Sequence, residues 1–348
     1  MKAPPPEAFP SWPAGWYFAA QSDRLGSSPV GVDLFGRRLV CYRTASGHPA
    51  VMDARCWHMG ADLSRGAING DRIVCPFHGW QYGASGKCES IPAQAETPHR
   101  VRQQTYSSAE CCGRVFVFPE AEAAYPFPFF AGISPADLVP APAFEFIVNC
   151  PWWLVSANGF DVQHFAVSHD RRLVSEAILE SPHPFARRMV TTFEVCGHHW
   201  RDRLTRKFAG AKVTMDVTIW SGTLAFVIAR FHDSTGPNIH GATSFGMTEV
   251  CPLGSAPDTR SLVRVTIFRR RRARLKPIDW IDVRIKQRFI RSFLETDVAT
   301  LDGARYDPDH LIRADNQLVS YLHWLASASR GAPARKEHSC PGQREPSS

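Results

Sequence analysis

The stretch CWHMGADLSRGAINGDRIVCPFHGW, residues 56–80, constrains this chain more than any other. It holds two Cys-plus-His pairs, Cys56/His58 and Cys75/His78, with sixteen residues between the halves. Thiolate and imidazole together make a metal-binding set that zinc and iron–sulfur clusters both accept. Zinc pairs usually sit two to four residues apart, so that the chain wraps one tetrahedral ion. Here the first pair has only Trp57 between its members. Two matching loops, each giving one Cys and one His, suit a two-iron cluster with both sulfurs on one iron and both imidazoles on the other. The sequence around them reads as β. Short apolar runs (WYFAA, GVDLF, RLVCY, PAVMD, RIVC, RVFVF) recur between residues 15 and 120, punctuated by Gly, Ser, Asp and Pro.

The full pattern is C-x-H-x16-C-x2-H, with GADLS after the first half and CPFHGWQY at the second. It resembles the Rieske motif. The flank KCESIPAQ, 87–94, is similar to the segment that follows the motif in ring-hydroxylating oxygenases. Met59 departs from the pattern, standing where many such proteins carry Arg, but it is not a ligand position. The resemblance implies an all-β Rieske [2Fe-2S] domain over 15–120, with Cys56, His58, Cys75 and His78 holding the cluster. Neutral imidazoles in place of two thiolates reduce its negative charge and raise its potential above that of an all-Cys ferredoxin. Such a centre passes electrons and does no substrate chemistry alone.

A Pro- and Phe-rich stretch, 119–142, reads as a linker. Beyond it the strand candidates lengthen: MVTTFEVC, HWRDRLTRKF, KVTMDVTIW, TLAFVIARF, ATSFGMTEVC and SLVRVTIFRR. Helices are expected at 278–303 and 312–328. The expected fold is α+β: the all-β domain, then a domain over 143–330 with a curved antiparallel sheet and C-terminal helices, of helix-grip type. The polar tail 331–348 is expected to be disordered.

About 230 residues follow the Rieske unit, more than a simple carrier needs. They contain NGFDVQHFAVSH, 158–169. Two histidines five apart stand about 140° apart on an ideal helix, so they share a metal only if the helix ends or distorts between them. On its own the pair reads better as surface or core histidines than as ligands. Beside the first motif, Asn-x2-Asp-x2-His-x4-His resembles the mononuclear-iron motif of Rieske non-haem iron oxygenases. The resemblance spans roughly 15 to 325. It implies that His164 and His169 ligate Fe(II) and that Asn158 lies near the iron. It also implies that Asp161 bridges by hydrogen bonds to His164 and to His78 of an adjacent subunit, in a homotrimer. The third ligand is sought on the helix at 278–303, which offers Glu295, Asp297 and Asp302. At ~100° per residue, Asp297 falls within about 60° of Ile290, Phe293, Leu294 and Leu301, in the middle of the apolar stripe. Glu295 and Asp302 fall on the polar side. A carboxylate facing a core costs several kcal/mol unless it is paired or bound to metal, so Asp297 is the candidate ligand, with a buried Arg partner as the bland alternative. His198, His199, His232 and His240 have no matching partner spacing and are not chosen.

The resemblance further implies O2 as co-substrate, a ferredoxin or flavin reductase as redox partner, and electrons ultimately from NAD(P)H. The segments DLFGRRLVCYR, VMDARCWHMGADLS and CPFHGWQY look like the subgroup containing aminopyrrolnitrin oxygenase, which makes arylamine N-oxygenation one option. Monooxygenation of an aromatic or polycyclic small molecule is the expected reaction, with Phe160, Phe165, Trp220 and Phe226 as candidate pocket residues. A Rieske electron carrier with a degenerate second domain and a zinc-bound structural protein are the competing readings.

Composition sets the remaining bounds. The 348 residues favour two domains. Ten cysteines at irregular spacing in a long chain read as mostly reduced thiols, and the vicinal Cys111/Cys112, in a strand-like context, as core packing. No apolar run approaches a membrane span and the start lacks a secretory h-region, so a cytoplasmic protein is expected. The net charge of +7 is concentrated in FRRRRARLKP, 268–277, and the basic residues up to Arg291. That segment suits an acidic protein partner, anionic lipid or a solvated face; nucleic acid is not expected, as no aromatic interleaving accompanies it.

Overall fold

The computed structural model describes residues 2–232, 243–254, 260–271 and 276–331. His240 and the expected disordered tail from 332 lie outside the described residues.

The N-terminal domain comprises β1 (Tyr17–Gln21), β2 (Val30–Leu34), β3 (Arg37–Arg43), β4 (Pro49–Asp53), β5 (Ala67–Asn69), β6 (Arg72–Val74), β7 (Gln81–Gly83), β8 (Cys88–Ser90), β9 (Thr105–Tyr106), β10 (Ser108–Cys111) and β11 (Arg114–Val117). They form three small antiparallel sheets: β1-β11-β10, β2-β3-β4-β9 and β5-β6-β7-β8. The last of these carries both Cys/His loops, one entering β5 and one joining β6 to β7.

The second part comprises β12 (Leu138–Pro140), β13 (Phe144–Val148), α1 (Trp152–Ala157), α2 (Val162–Ser168), β14 (Arg171–Leu173), β15 (Ile178–His183), β16 (Ala186–Val195), α3 (Trp200–Phe208), β17 (Lys212–Trp220), β18 (Leu224–His232), β19 (Thr243–Leu253), β20 (Arg260–Arg270), α4 (Lys276–Leu301) and α5 (Asn316–Ala328). A nine-stranded antiparallel sheet runs β12-β20-β19-β18-β17-β16-β14, with β13 beside β20 and β15 beside β16.

Period-two alternation gives this sheet two faces. Leu224, Phe226 and Ile228 of β18 join Phe245, Met247 and Phe268 in one apolar cluster with Trp16, Phe116 and Phe118 of the N-terminal domain. The intervening Ala225, Val227, Ala229 and Phe231 face the helices on the other side. The sheet is thus the middle layer between a β domain and a helical cover. Burying each of the large side chains at the domain junction contributes roughly 1.5–3 kcal/mol.

The stretch 119–142 is packed into this junction. Tyr125, Phe130 and Leu138 are buried in the shared cluster, and β12 adds to the sheet edge beside β20. The first residues strap the far side: Phe9 stacks on Trp153 at 4.4 Å, and Tyr306 donates to the Pro4 carbonyl.

One expected strand is a helix. HWRDRLTRKF folds as α3, because His199 caps it by accepting from the Arg201 N–H, Asp202 lies in its first turn and Arg206 and Lys207 in its last. Charges placed this way favour the helix dipole. The final expected helix starts later, after a 3-10 turn at Arg313–Asp315.

Candidate metal centres

The two loops of the N-terminal domain share one backbone design. In each, the cysteine N–H donates to a carbonyl five residues on: Cys56 to Ala61 at 2.9 Å, Cys75 to Trp80 at 2.8 Å. In each, the cysteine carbonyl accepts from a glycine N–H four residues on: Gly60 at 2.8 Å, Gly79 at 3.1 Å. Both glycines sit at positive φ, 72° and 70°, where a Cβ is strained. This turn buries both sulfurs, each cysteine being 3% exposed, and leaves His58 and His78 at the surface. The imidazole centroids lie 4.7 Å apart. Burial raises the Cys56 thiol above its ordinary pKa, opposed by hydrogen bonds from the Tyr82 hydroxyl and the His58 backbone N–H that favour thiolate. Paired buried sulfurs below and paired solvent-facing imidazoles above fit the two unlike irons of a Cys2His2 [2Fe-2S] cluster better than one tetrahedral zinc.

The second centre is built where α2 ends. A 3-10 turn, Asn158–Phe160, separates α1 from α2. Asp161 then caps α2, its Oδ1 accepting from the N–H groups of Gln163 at 3.0 Å and His164 at 3.4 Å. The helix stops at Ser168, and His169 leaves helical dihedrals with φ −126° and ψ 2°. That break turns both histidines to one side. Asp297, from α4, completes the group: its Oδ1 lies 2.7 Å from His169 Nε2 and 3.6 Å from His164 Nε2. The three donor atoms lie within 4.8 Å of one another.

Hydrogen bonding sets the His164 tautomer. Its Nδ1–H donates to the Asp161 carbonyl at 2.5 Å, so Nε2 bears a lone pair and faces the Asp297 carboxylate. Nε2 is buried without a hydrogen-bond partner. Two acceptors meeting in a buried site call for a cation between them. Burial holds the His164 pKa below the ordinary imidazole value despite Asp297 and Asp161 nearby, which keeps the ring in its neutral, metal-binding form. Two imidazoles and one carboxylate suit Fe(II) with positions left open.

The other acids on α4 are engaged elsewhere: Glu295 pairs with Arg291 at 3.3 Å, and Asp302 Oδ1 accepts from the Asn149 N–H and Nδ2 at 2.8 Å. Asn158 opens the 3-10 turn, its carbonyl accepting from the Asp161 N–H at 3.3 Å, and is not one of the three converging groups. The expected contact of the Asp161 carboxylate with the His164 ring runs through the Asp161 carbonyl instead, because the carboxylate is occupied in capping α2. His198 is exposed, and His232 Nε2 lies 3.0 Å from Thr214 Oγ1. Of the four aromatic residues expected to line a pocket, only Phe165 adjoins the centre, 5.8 Å from His169. Phe160 stacks on Tyr321 in the core, while Trp220 and Phe226 point to the opposite face of the sheet, into the domain junction.

Comparison with known proteins agrees with this division. A family model for the Rieske [2Fe-2S] domain matches residues 15–107. The chain carries a Rieske domain. Relatives include the oxygenase component of 3-ketosteroid-9-alpha-monooxygenase from Rhodococcus rhodochrous, 39% identical over 33% of this chain and 30% of that protein. Aminopyrrolnitrin oxygenase of Pseudomonas fluorescens is 40% identical over 30% of this chain and 31% of its own length. The matched stretch thus spans about a third of these curated relatives. Solved structures share the fold over nearly the whole chain. Dicamba monooxygenase bound to 3,6-dichlorosalicylic acid superposes with a TM-score of 0.67, 16% identity and coverage of 92% of this chain and 98% of that one. NdmA of Pseudomonas putida CBB5 with caffeine gives 0.64 at 16% identity, covering 93% and 97%. The fold is therefore that of these solved structures.

Several residues supporting the two centres were not singled out from sequence. In the Rieske domain, the Tyr82 hydroxyl lies 3.1 Å from Cys56 Sγ and the Trp80 indole stacks on His58 at 4.4 Å. At the second centre, Phe293 stacks on His169 at 3.7 Å. Buried Arg171 donates to the His169 carbonyl at 2.7 Å and to Asp202 of α3 at 2.8 Å. Arg201 of α3 donates to the Ser292 carbonyl at 2.7 Å, tying α3 to α4. The signal for Asp202 was a helix start that the strand reading obscured.

Proposed function

We propose that this protein is the oxygenase component of a Rieske-type monooxygenase acting on an aromatic or polycyclic small molecule. O2 is the co-substrate, and the electrons come ultimately from NAD(P)H through a ferredoxin or flavin reductase. The observation that carries the reading is the convergence of His164, His169 and Asp297 in a chain that also has a Rieske domain. When bound, a [2Fe-2S] cluster would supply electrons and Fe(II) would activate dioxygen. Cys56, His58, Cys75 and His78 would hold the first; His164, His169 and Asp297 would hold the second. Arg171 and Phe293 fix the His169 ring and backbone, and Asp161 fixes the His164 tautomer.

Phe165 and Phe293 adjoin His169 and belong to an apolar cluster with Phe193, Met215, Ala229 and Phe231, surroundings that suit a flat apolar substrate. The names of the relatives and neighbours, which include a ketosteroid monooxygenase, an aminopyrrolnitrin oxygenase and a dicamba monooxygenase, point the same way. Arylamine N-oxygenation is the narrower option, supported by the similarity to aminopyrrolnitrin oxygenase.

A homotrimer is part of this reading. The exposed imidazoles sit in an apolar rim of Trp57, Met59 and Phe77, and Val167, Leu173 and Val174 are exposed on the elements around the second centre. Rims of this kind favour association. Seating one on the other would bring His78 of one subunit towards Asp161 of the next. A reductase that draws on NAD(P)H fits a cytoplasmic protein.

Iron analysis with EPR tests the proposal. It expects about three irons per chain and a Rieske signal. In Asp297→Ala, about one iron is lost and the Rieske spectrum stays. Loss of the cluster signal together with that iron would show Asp297 to be structural. Oxygen uptake across steroid, aryl ether and arylamine substrates then distinguishes the substrate classes.

A further inference from the structure

Cys111 and Cys112 end β10 and begin the turn into β11. Successive side chains on a strand point to opposite faces, so adjacent strand cysteines diverge. Here the turn prevents that. Cys112 has φ 53° and Gly113 φ 73°, the two left-handed positions of a tight hairpin turn, where Asn or Gly is the usual first residue. A left-handed conformation is unfavourable at a residue with a Cβ. It swings the Cys112 sulfur to the same side as that of Cys111. The two Sγ atoms are 3.5 Å apart, with the Cys111 S–H donating to Cys112. Both residues are half-buried at the margin of the domain junction. Cys111 lies directly across from Arg114 in the hairpin register, and the Arg114 guanidinium forms the buried ion pair with Glu249 across the junction.

We propose that Cys111 and Cys112 form a reactive vicinal dithiol that exchanges with low-molecular-weight disulfides and closes reversibly to a disulfide. The Cys112 thiolate attacks one sulfur of the small disulfide, forming a mixed disulfide and releasing one small thiol. The Cys111 thiol then loses its proton and attacks the Cys112 sulfur, releasing the second small thiol. The chain loses two electrons and two protons, and the small disulfide gains them. The hydrogen bond from Cys111 favours the Cys112 thiolate, burial opposes it and Arg114 supports it; the same bond and burial raise the Cys111 thiol. That ordering makes Cys112 the attacking sulfur and Cys111 the resolving one. A ring closed between adjacent residues is strained, and strained disulfides are the easily reduced, regulatory kind. Both cysteines also pack against the apolar core, as expected from sequence, but an apolar filler needs neither the left-handed backbone nor the sulfur–sulfur contact.

The test uses the whole protein as isolated, exposed to oxidised glutathione under native conditions and mapped by peptide mass. Exposed Cys196 serves as the lone-thiol reference in the same sample. The peptide carrying Cys111 and Cys112 should lose two hydrogens and regain them with dithiothreitol. Cys111→Ser should halt the reaction at a persistent glutathione adduct on Cys112. Glutathione on Cys196 with an unmodified 111–112 peptide, or with separate adducts on both cysteines, would overturn the proposal.

Discussion

Single side chains determine what each centre can hold. The Tyr82 hydroxyl on Cys56 Sγ is one such contact. Hydrogen bonds to cluster sulfurs stabilise the reduced, more negative state and raise the potential. Tyr82→Phe removes the donor with little change of shape. Its Rieske potential should fall by tens of millivolts, up to about 60 mV, the one-electron equivalent of ~1.4 kcal/mol. A redox titration followed by EPR reads the shift, and an unchanged potential would mean that the hydroxyl does not act on the cluster. The Cys/His pairs themselves were legible in sequence because their spacing is a local property. Tyr82 was not, because a tyrosine in a strand looks like any other core residue.

At the scale of elements, α3 is the decisive piece, and it was read as a strand. Its Asp202 neutralises buried Arg171, which holds the His169 carbonyl. Asp202→Ala leaves a buried guanidinium unpaired, which costs about 3–5 kcal/mol. It should also loosen His169 and weaken iron binding about 10–100-fold, as loss of a partner behind a ligand typically does. Iron titration of the variant against wild type, with the Rieske spectrum as internal control, measures this. Equal affinity would assign Asp202 to stability alone. The end of α2 acts at the same scale. An unbroken helix would hold His164 and His169 about 140° apart, and the stop at Ser168 is what lets them converge.

For the molecule as a whole, the junction between the two domains is a core in its own right. Arg114 of β11 and Arg264 of the large sheet both bind Glu249, at 3.0 and 3.1 Å, with Glu249 4% exposed. Glu249→Ala strands buried Arg114, while Arg264 keeps Glu145 at 2.7 Å, and should cost about 3–5 kcal/mol. Calorimetry should show a lower melting temperature, and the Rieske and mononuclear centres should become sensitive together. If only one domain is destabilised, the junction does not couple them. The segment 119–142, read from its prolines as a linker, supplies Tyr125 and Phe130 to the same core.

Spacing and periodicity alone located the two Cys/His pairs, the paired histidines, the α+β order and the unusual position of Asp297. Each rests on spacing or periodicity within a short window, where covalent geometry carries the information. It took the folded chain to show that Asp297 meets His169 across 128 residues, and His164 with it, and that Trp220 and Phe226 face away from the centre. It alone also showed that a left-handed turn joins two neighbouring sulfurs. Those facts depend on which face of a strand or helix a partner element covers, and that is set by packing between distant segments.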